Sequence, residues 1–261
     1  MARWWSANLK NRSRFALRHP RYALRAIFRD LLALDERFLA GVTGSSPRAI
    51  REFLSEPFED SEFVSHFRQA QESLRDVEAI GADCYAKRVL LQYAVVRAQK
   101  PDRILETGVA NGVSSAYLLL ALRRNERGEL HSIDVGDGSF VPCGQSTGWI
   151  IPDWLRPRWT LHLGDARECL PRVLDRLGSV DIFIHDSLHT YEHMKFEYRA
   201  AYPHLHPGGI LVSDDALWNP AFEEFSREVR APASRILRGV GFLKKETGMR
   251  KRLRSVATSA A

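Results

Sequence analysis

Apolar and polar positions follow two different patterns along the chain, and the change comes at Pro101. Before it, apolar residues recur at helical spacing and no strong strand pattern is present. Ser46 and Asp60 are favourable residues for helix N-caps, and Pro101 ends the last of these helices. The predicted helices are Ser13–Ala40 with an interruption at Pro20, Arg48–Leu54, the segment from Asp60 to Leu74, and Cys84–Gln99.

After Pro101, short β-rich runs alternate with helical ones. The predicted strands are Arg103–Thr107, Glu129–Val135, Trp159–Leu163, Val180–His185 and Gly209–Ser213, with Arg235–Val240 and Gly241–Lys245 as a closing hairpin. The predicted helices between them are Gly112–Arg124, Ala166–Leu177 and Tyr191–His204. This alternation is typical of right-handed βαβ units. We therefore predict an α/β fold with a doubly wound, mostly parallel sheet, in which Pro207-Gly208-Gly209 forms a turn before the fifth strand.

Composition narrows the class of protein. The 261 residues are 44% hydrophobic and 27% charged, which are ordinary globular values and argue against wholesale disorder. The three cysteines form no C-x-x-C pair, so a disulfide scaffold or a zinc knuckle is not expected. No apolar run approaches the roughly 20 residues that span a bilayer. We expect a soluble, cytoplasmic protein.

The net charge of +6 is unevenly distributed. Residues 1–30 hold eight Lys/Arg against one acid, and residues 227–254 hold ten against two, so the rest of the chain carries a net −9. An acidic middle with basic ends does not suit a protein whose whole face follows nucleic acid. The basic, Trp-containing segment of residues 1–30 suits either peripheral contact with an anionic membrane or a helical arm, which would be a lid or part of a homo-oligomer interface.

The most informative segment is Ile104–Gly112, in which an apolar strand ends in an acid and a turn of small residues opens a helix. Gly108 and Gly112 allow close approach of a ligand to the backbone. The spacing is not G-x-G-x-x-G and no G-K-[S/T] follows, which disfavours NAD, FAD and a P-loop. Asp134 and Asp165 end the next two strands, where open α/β sheets bind ligands, although either could simply form a turn or cap a helix.

Residues 80–245 resemble the class I S-adenosylmethionine-dependent methyltransferases. The motifs that carry this resemblance are Glu106-Thr107-Gly108-Val109-Ala110-Asn111-Gly112, Asp134, Gly164-Asp165-Ala166 and Leu205-His206-Pro207-Gly208-Gly209. The resemblance implies a seven-stranded, Rossmann-like sheet with a reversed last strand. It also implies a cofactor site in which the methionine part lies over the glycine turn, ribose binds Asp134, and adenine lies near Asp165 and Ala166. The cofactor-binding residues are then Glu106, Gly108, Ala110, Gly112, Asp134, Asp165 and Ala166, with Ala110 standing where the family usually has glycine.

A second group of acids follows the fourth and fifth strands. Asp186, Asp214 and Asp215 are expected at neighbouring strand ends, and oxygen ligands of this kind favour Mg²⁺ or another divalent cation. This part resembles the metal-dependent small-molecule O-methyltransferases, especially the branch that methylates sugars of natural products. The resemblance makes the three aspartates metal ligands and Asp186 part of the catalytic site. Leu188 replaces the acid that this branch uses as general base, and His189 is the nearest substitute.

The sequence thus predicts an S-adenosylmethionine-dependent O-methyltransferase for a hydroxyl on a small molecule or glycan, assisted by a divalent cation. One alternative is a metal-independent methyltransferase that uses His189 directly, and another is a non-catalytic cofactor-binding module that docks through its basic N-terminal helix. We expect a helical extension at residues 1–80, the catalytic domain at 81–246 and a basic tail at 247–261. The long insertion at residues 136–158 is expected to form part of the acceptor-site wall.

Overall fold

The computed structural model describes residues 35–73, 87–142 and 144–247. Contacts divide the chain into two units, residues 1–51 and residues 52–261. The predicted membrane-binding or lid segment at residues 1–30 lies outside the described residues, as do Cys84, the boundary expected at residue 80 and nearly all of the basic tail. No helix within the described ranges is long and apolar enough to cross a membrane.

Helices account for the described part of the chain before the sheet. Residues 35–43 are helical, and the further helices are α1 (Pro47–Glu59), α2 (Ser61–Ser73) and α3 (Lys87–Gln99). The predicted caps are present, since Ser46 Oγ accepts the N–H of Ala49 at 3.1 Å and Asp60 Oδ1 accepts that of Phe63 at 3.0 Å. The α1 helix runs five residues beyond its predicted end.

The described part of residues 52–261 holds a seven-stranded sheet. Its strands are β1 (Arg103–Thr107), β2 (Glu129–Asp134), β3 (Trp159–Leu163), β4 (Val180–His185), β5 (Leu205–Ser213), β6 (Ala233–Leu237) and β7 (Val240–Lys244). They lie in the order β3-β2-β1-β4-β5-β7-β6. The first five are parallel, and β7 is antiparallel to both β5 and β6. The predicted α/β, mostly parallel seven-stranded sheet with a reversed strand is confirmed.

Four α-helices and one short 3-10 helix follow α3 in the described residues. They are α4 (Val113–Arg124), the 3-10 helix Asp153–Arg158, α5 (Ala166–Leu177), α6 (Tyr191–His204) and α7 (Ala221–Glu228). The α3 helix packs with α4, and α6 packs with α5 and α7. The central strands β1 and β4 are almost continuously buried, whereas the edge strands β3 and β6 are partly exposed, as expected of a parallel sheet covered on both faces.

In the C-terminal half, one predicted feature is wrong and one helix was not predicted. Pro207-Gly208-Gly209 is not a turn before the fifth strand, because β5 already begins at Leu205 and passes through these residues. The pairing of β4 with β5 is irregular there, so the proline and glycine produce a bulge instead of a chain reversal. The α7 helix was not predicted, although Asn219 Oδ1 accepts the N–H of Ala221 at 2.9 Å as a capping residue does.

Candidate active site

The turn between β1 and α4 contains the glycines that the sequence singles out. Gly108, Ala110 and Gly112 have positive φ angles of 85°, 47° and 91°. For alanine this conformation costs about 1–2 kcal/mol relative to glycine. A Cβ atom at Gly108 would lie 2.0 Å from the backbone oxygen of Asp186. The turn therefore lies directly against the chain that leaves β4, and the free N–H groups of the α4 N-terminus begin beside it.

Glu106 is a buried carboxylate in β1, two residues before the turn. Ser114 Oγ donates to its Oε1 at 2.7 Å, and the hydroxyls of Ser115 and Ser132 donate to its Oε2 at 2.6 and 2.9 Å. Burial raises the pKa of Glu106 in spite of these three donors, and the charge of Asp134 raises it further. Glu106 thus joins β1, α4 and β2 at the turn, and its direct contact with a cofactor stays a prediction.

Asp134, at the end of β2, binds the glycine turn through its side chain. Its Oδ2 accepts the N–H groups of Val109 at 2.8 Å and Ala110 at 3.1 Å. Its Oδ1 accepts the N–H of Gly136 at 2.8 Å and lies 3.5 Å from the hydroxyl of Thr147. The carboxylate therefore holds the turn in shape, and its longest contact, the one with Thr147, is the one that a ligand hydroxyl could replace.

The ends of β2 and β3 expose apolar side chains beside the third predicted acid. Asp165 caps α5, because its Oδ1 accepts the N–H of Arg167 at 2.7 Å, and Ala166 is the first, buried residue of that helix. Val135 and Leu163, which end or follow the two strands, are exposed. An apolar, exposed strand end of this kind can bind the face of a flat ligand.

Three carboxylates converge at the ends of β4 and β5, together with an arginine that the sequence analysis does not single out. Asp186 follows β4 directly, and Asp214 and Asp215 follow β5, where a φ of 47° at Asp215 shows that the strand has turned. Nη2 of Arg88, in α3, donates to Asp215 Oδ1 at 2.5 Å and lies 2.7 Å from Asp214 Oδ1. The structure therefore brings the three predicted acids together around a guanidinium group.

Burial and mutual repulsion control the ionisation of two of these acids. Burial raises the pKa of Asp186 above its usual range, and the charge of Glu106 raises it further. Burial and the charge of Asp186 likewise raise the pKa of Asp214, against the opposing effect of Arg88. Because the two carboxylates repel each other, binding a proton or lying beside a cation stabilises the pair.

His189 lies among these acids at the start of α6. Its Nε2 is 3.6 Å from Asp186 Oδ1, and its Nδ1 is 3.9 Å from Asp215 Oδ2. Nε2 is buried and has no hydrogen-bond partner among the described residues. Burial lowers the pKa of His189, although the neighbouring aspartates raise it in part, so the imidazole is neutral at pH 7. A neutral imidazole with an unpartnered nitrogen can accept a proton from a bound molecule.

Exposed apolar side chains border His189. The ring of Trp218 lies 5.3 Å from the His189 ring between centroids, and 70% of Trp218 is exposed. Leu188 and Leu217 are also largely exposed. Asn219 Nδ2 donates to the backbone oxygen of His189 at 3.1 Å and so ties this border to the histidine.

A buried network centred on Glu197 of α6 adjoins the His189 loop. Nδ1 of His185 lies 2.6 Å from the Glu197 carboxylate and Nε2 of His193 lies 2.9 Å from it, while Thr107 and Ser187 donate their hydroxyls at 2.6 and 2.8 Å. Burial alone would raise the pKa of Glu197, but these hydrogen bonds outweigh it and lower the pKa to about 2. The network links β1, β4 and α6 on either side of Asp186.

Part of the long insertion at residues 136–158 contacts the glycine turn, while other parts of it contact α2, α4 and Asp134. The N–H of Gly148 donates to the oxygen of Ala110 at 2.8 Å, and Trp149 Nε1 donates to Asn111 Oδ1 at 2.8 Å. These contacts support the turn from outside the sheet, and contact of the insertion with an acceptor stays a prediction.

Comparison with known proteins identifies the segment that carries this site. Residues 105–216 match the family described as a methyltransferase domain. This segment, which is less than half of the chain, is therefore similar to a methyltransferase domain. Among relatives, demethylmacrocin O-methyltransferase of Streptomyces fradiae is 29% identical over 120 residues, and mycinamicin VI 2''-O-methyltransferase of Micromonospora griseorubida is 31% identical over 99 residues.

Each of these two matches covers only part of this chain and part of the relative. They cover 45% and 38% of this chain but only 27% and 22% of the two relatives, so the chain spans about a quarter of the length of the relatives it matches. The solved O-methyltransferase TomG from Streptomyces achromogenes has a TM-score of 0.53 at 22% identity, covering 70% of this chain and 90% of that chain. This confirms the predicted Rossmann-like methyltransferase fold.

The three predicted metal ligands do not fit a divalent ion in this arrangement. No group of three His, Cys, Asp or Glu side chains within the described ranges is placed to hold a metal. Arg88 Nη2 lies 2.7 and 2.5 Å from oxygens of Asp214 and Asp215. A divalent ion bound to the same oxygens at about 2.0–2.6 Å would overlap it.

Two residues of the site were missed by sequence reasoning for different reasons. Glu197 could have been found, because it lies four residues after His193 and hence on the same face of the predicted helix. Arg88 gives no signal, because it belongs to a helix that precedes the first strand and resembles any other basic helical residue.

Proposed function

We propose that this protein methylates a hydroxyl group of a small molecule or glycoside, with S-adenosylmethionine as methyl donor. The observation that carries the proposal is the position of Asp186 between two parts of the site. Its backbone oxygen touches the glycine turn at Gly108, and its side chain lies 3.6 Å from His189. A methyl donor on the turn and a hydroxyl at His189 would thus be neighbours. The O-methyltransferase names of the two partial relatives support the same reaction class.

The proposed cofactor site follows the carboxyl ends of β1, β2 and β3. The methionine part would lie over the glycine turn, ribose hydroxyls would donate to Asp134, and adenine would lie near Asp165 against the exposed Val135 and Leu163. The residues proposed to bind the cofactor are those predicted from the sequence: Glu106, Gly108, Ala110, Gly112, Asp134, Asp165 and Ala166.

His189 is proposed as the general base. S-adenosylmethionine supplies a methyl group on a positively charged sulfur, so the chain has to orient the acceptor and remove its proton. The neutral imidazole accepts the hydroxyl proton while the acceptor oxygen bonds to the methyl carbon. The carbon–sulfur bond breaks with its electron pair on sulfur, leaving S-adenosylhomocysteine and a methyl ether.

Two proposals differ in the cation that lies among these carboxylates. A divalent ion on Asp186, Asp214 and Asp215, as the sequence predicts, would withdraw charge from the acceptor hydroxyl, but the arrangement described above does not fit one. The alternative, a metal-independent transfer with His189 as base, is favoured by the guanidinium of Arg88 among the same carboxylates. The mechanism above therefore uses only side chains of the chain.

The border of the site suggests what kind of acceptor binds. Leu188 and Trp218 expose apolar surface next to His189, which suits an acceptor with an apolar face beside its hydroxyl. A glycosylated or aromatic natural product has this character. Peripheral membrane contact and a homo-oligomer formed through residues 1–30 stay predictions, as does a cytoplasmic location.

The test is a methyl-transfer screen over glycosides and hydroxylated natural products, with S-adenosylhomocysteine measured by mass spectrometry. For an acceptor that reacts, we expect His189→Ala to lower kcat by about 100-fold or more, since a general base contributes about 10²–10⁴. Binding of S-adenosylmethionine, measured by calorimetry, should persist. His206→Ala is the matched control, because His206 is exposed at the start of β5, at the opposite end of that strand from the site. Equal turnover of the two variants would exclude His189 as the base.

A further inference from the structure

Arg88 places a permanent positive charge inside the acid cluster. Its guanidinium contacts Asp214 and Asp215, and the charge of Asp186 also raises the pKa of Arg88. The side chains of Arg88, Asp214 and Asp215 keep only 33%, 15% and 22% of their surface exposed. Exposed ion pairs contribute little because water competes for both charges. This pair is largely shielded, so its removal would leave carboxylates buried without compensation.

The geometry of Arg88 is that of a competitor for a metal ion. Nη2 approaches Oδ1 of both Asp214 and Asp215, the atoms that a shared cation would bind. Nη2 lies near Asp214 Oδ1 without making a hydrogen bond to it, and that buried oxygen has no hydrogen-bond partner among the described residues. The guanidinium thus lies beside this oxygen as a positive charge, as a metal ion would, but donates no hydrogen bond to it.

Arg88 also orients the side chain of Asp215. Asp215 adopts a left-handed backbone conformation, with φ of 47°, and its side chain meets Arg88 on one oxygen and faces His189 Nδ1 at 3.9 Å on the other. A positive φ is costly for aspartate unless its surroundings maintain it. The contact with Arg88 is a direct means of holding the residue that lies beside the proposed base.

We propose that Arg88 takes the place of a divalent cation in the acid cluster, as a positioning residue that holds Asp214 and Asp215 beside His189 and excludes metal from their oxygens. The catalytic part of this inference rests on the proposed function, whereas the exclusion of metal does not. A guanidinium keeps its charge at all physiological pH values, so the cluster would be compensated in the absence of any ion.

The first test measures metal binding alone, by electron paramagnetic resonance of Mn²⁺ added to the full-length protein. We expect Arg88→Ala to bind Mn²⁺ at least tenfold more tightly than the wild type, and Asp214→Asn in that background to abolish the gain. Arg88→Lys keeps a charge at this position and should stay close to the wild type. Arg127→Ala is the matched control, since it removes one arginine from an exposed pair with Asp102 before β1. Equal Mn²⁺ affinity in wild type and Arg88→Ala would overturn the proposal.

The second test uses methyl transfer to an acceptor found in the screen. Wild-type turnover should survive EDTA, and Arg88→Ala should lose at least tenfold in kcat with little change in the KM for S-adenosylmethionine. Added guanidinium ion at millimolar concentration should restore part of that loss, which it would not do for damage to folding alone. Loss of wild-type turnover on chelation would overturn the catalytic part. Absence of any transfer with every acceptor would count against the proposed function, while the Mn²⁺ result would still decide the role of Arg88.

Discussion

Glu197 shows at the scale of one residue how a buried charge can organise a site that it does not enter. Its carboxylate lies in α6 and meets groups from β1, β4, α6 and the loop after β4, of which His185 and Thr107 are completely buried. Removing one partner of a buried charged network typically costs about 3–5 kcal/mol, because the remaining groups lose their compensation. Since Asp186 directly follows His185, Glu197 fixes the segment that carries the residues proposed to be catalytic.

The lowered pKa of Glu197 predicts how its contribution depends on pH. The folded-state pKa is about 2, below the usual value of about 4.5, so the stabilisation is fully present above about pH 4.5 and is lost as pH falls towards 2. A shift of this size corresponds to about 3 kcal/mol. We expect Glu197→Gln to lower the free energy of unfolding by about that amount at pH 7, and the difference from wild type to shrink below pH 4.5.

Urea unfolding at pH 7, 5 and 3.5 measures this directly. Glu223→Gln is the control, because Glu223 is exposed on α7 and the same change of charge there should leave stability nearly unaltered. A stability difference for Glu197→Gln that is the same at all three pH values would contradict the assignment.

Individual residues also show where prediction from sequence ends. The sequence predicts that Asp186, Asp214 and Asp215 lie close together, because the carboxyl ends of adjacent parallel strands meet at one edge of a sheet. Adjacent residues of a strand face opposite sides of the sheet, so Asp214 and Asp215 can face one cation only where the strand has turned, as the φ of 47° at Asp215 shows. Arg88 could not be placed, since no periodicity or spacing relates a helix before β1 to the ends of β4 and β5.

At the scale of secondary-structure elements, the contact between the glycine turn and the chain after β4 joins the two halves of the site. Gly108 is the point of contact, with a φ of 85° and no room for a Cβ atom beside the oxygen of Asp186. Gly108→Ala should therefore separate the turn from β4 and weaken both the fold and cofactor binding. We expect a loss of more than about 2 kcal/mol in the free energy of unfolding and loss of detectable heat on titration with S-adenosylmethionine.

Gly138→Ala is a matched control for this variant. Gly138 also has a positive φ, of 78°, but nothing lies within 4 Å of the position its Cβ would take. The two substitutions share the backbone cost, so the difference between them measures the contact with Asp186. If Gly138→Ala and Gly108→Ala were equally destabilised and bound S-adenosylmethionine equally, the contact would not matter.

Element boundaries could be predicted best where the apolar pattern and a capping residue agree. The bounds of β1, β3, β4, α5 and α6 were predicted to the residue, and Asp165 and Thr190 cap the two helices. The α7 helix was missed because it has only eight residues and follows an irregular segment, although Asn219-Pro220 is a recognisable start signal. The length of β5 was missed because proline and glycine usually indicate a turn, and here β4 accommodates them in a bulge.

At the scale of the whole molecule, the order of the strands separates the proposed cofactor residues from the acids and His189. The chain runs outward from β1 to β3 on one side and from β4 to β5 on the other, so the switch point lies between β1 and β4. The proposed cofactor residues follow the first set of strands, and the acids with His189 follow the second. The net −9 of the middle of the chain agrees with this placement, whereas the basic ends at residues 1–30 and 227–254 contribute none of the acids.

If the site binds S-adenosylmethionine only in the folded state, the ligand must stabilise the whole folded unit. At a concentration 100 times Kd the gain is about 2.7 kcal/mol, which for a unit of this size corresponds to an increase in Tm of about 5–10 °C. We expect this shift in differential scanning calorimetry, with no shift from NAD⁺, because the glycine spacing does not suit a dinucleotide.

Asp134→Ala should abolish the shift in Tm caused by S-adenosylmethionine, since the carboxylate both shapes the turn and is proposed to bind ribose. Asp153→Ala, which removes a fully exposed acid, should retain it. A wild-type protein whose Tm does not respond would rule out the cofactor, and an undiminished shift in Asp134→Ala would remove Asp134 from its site.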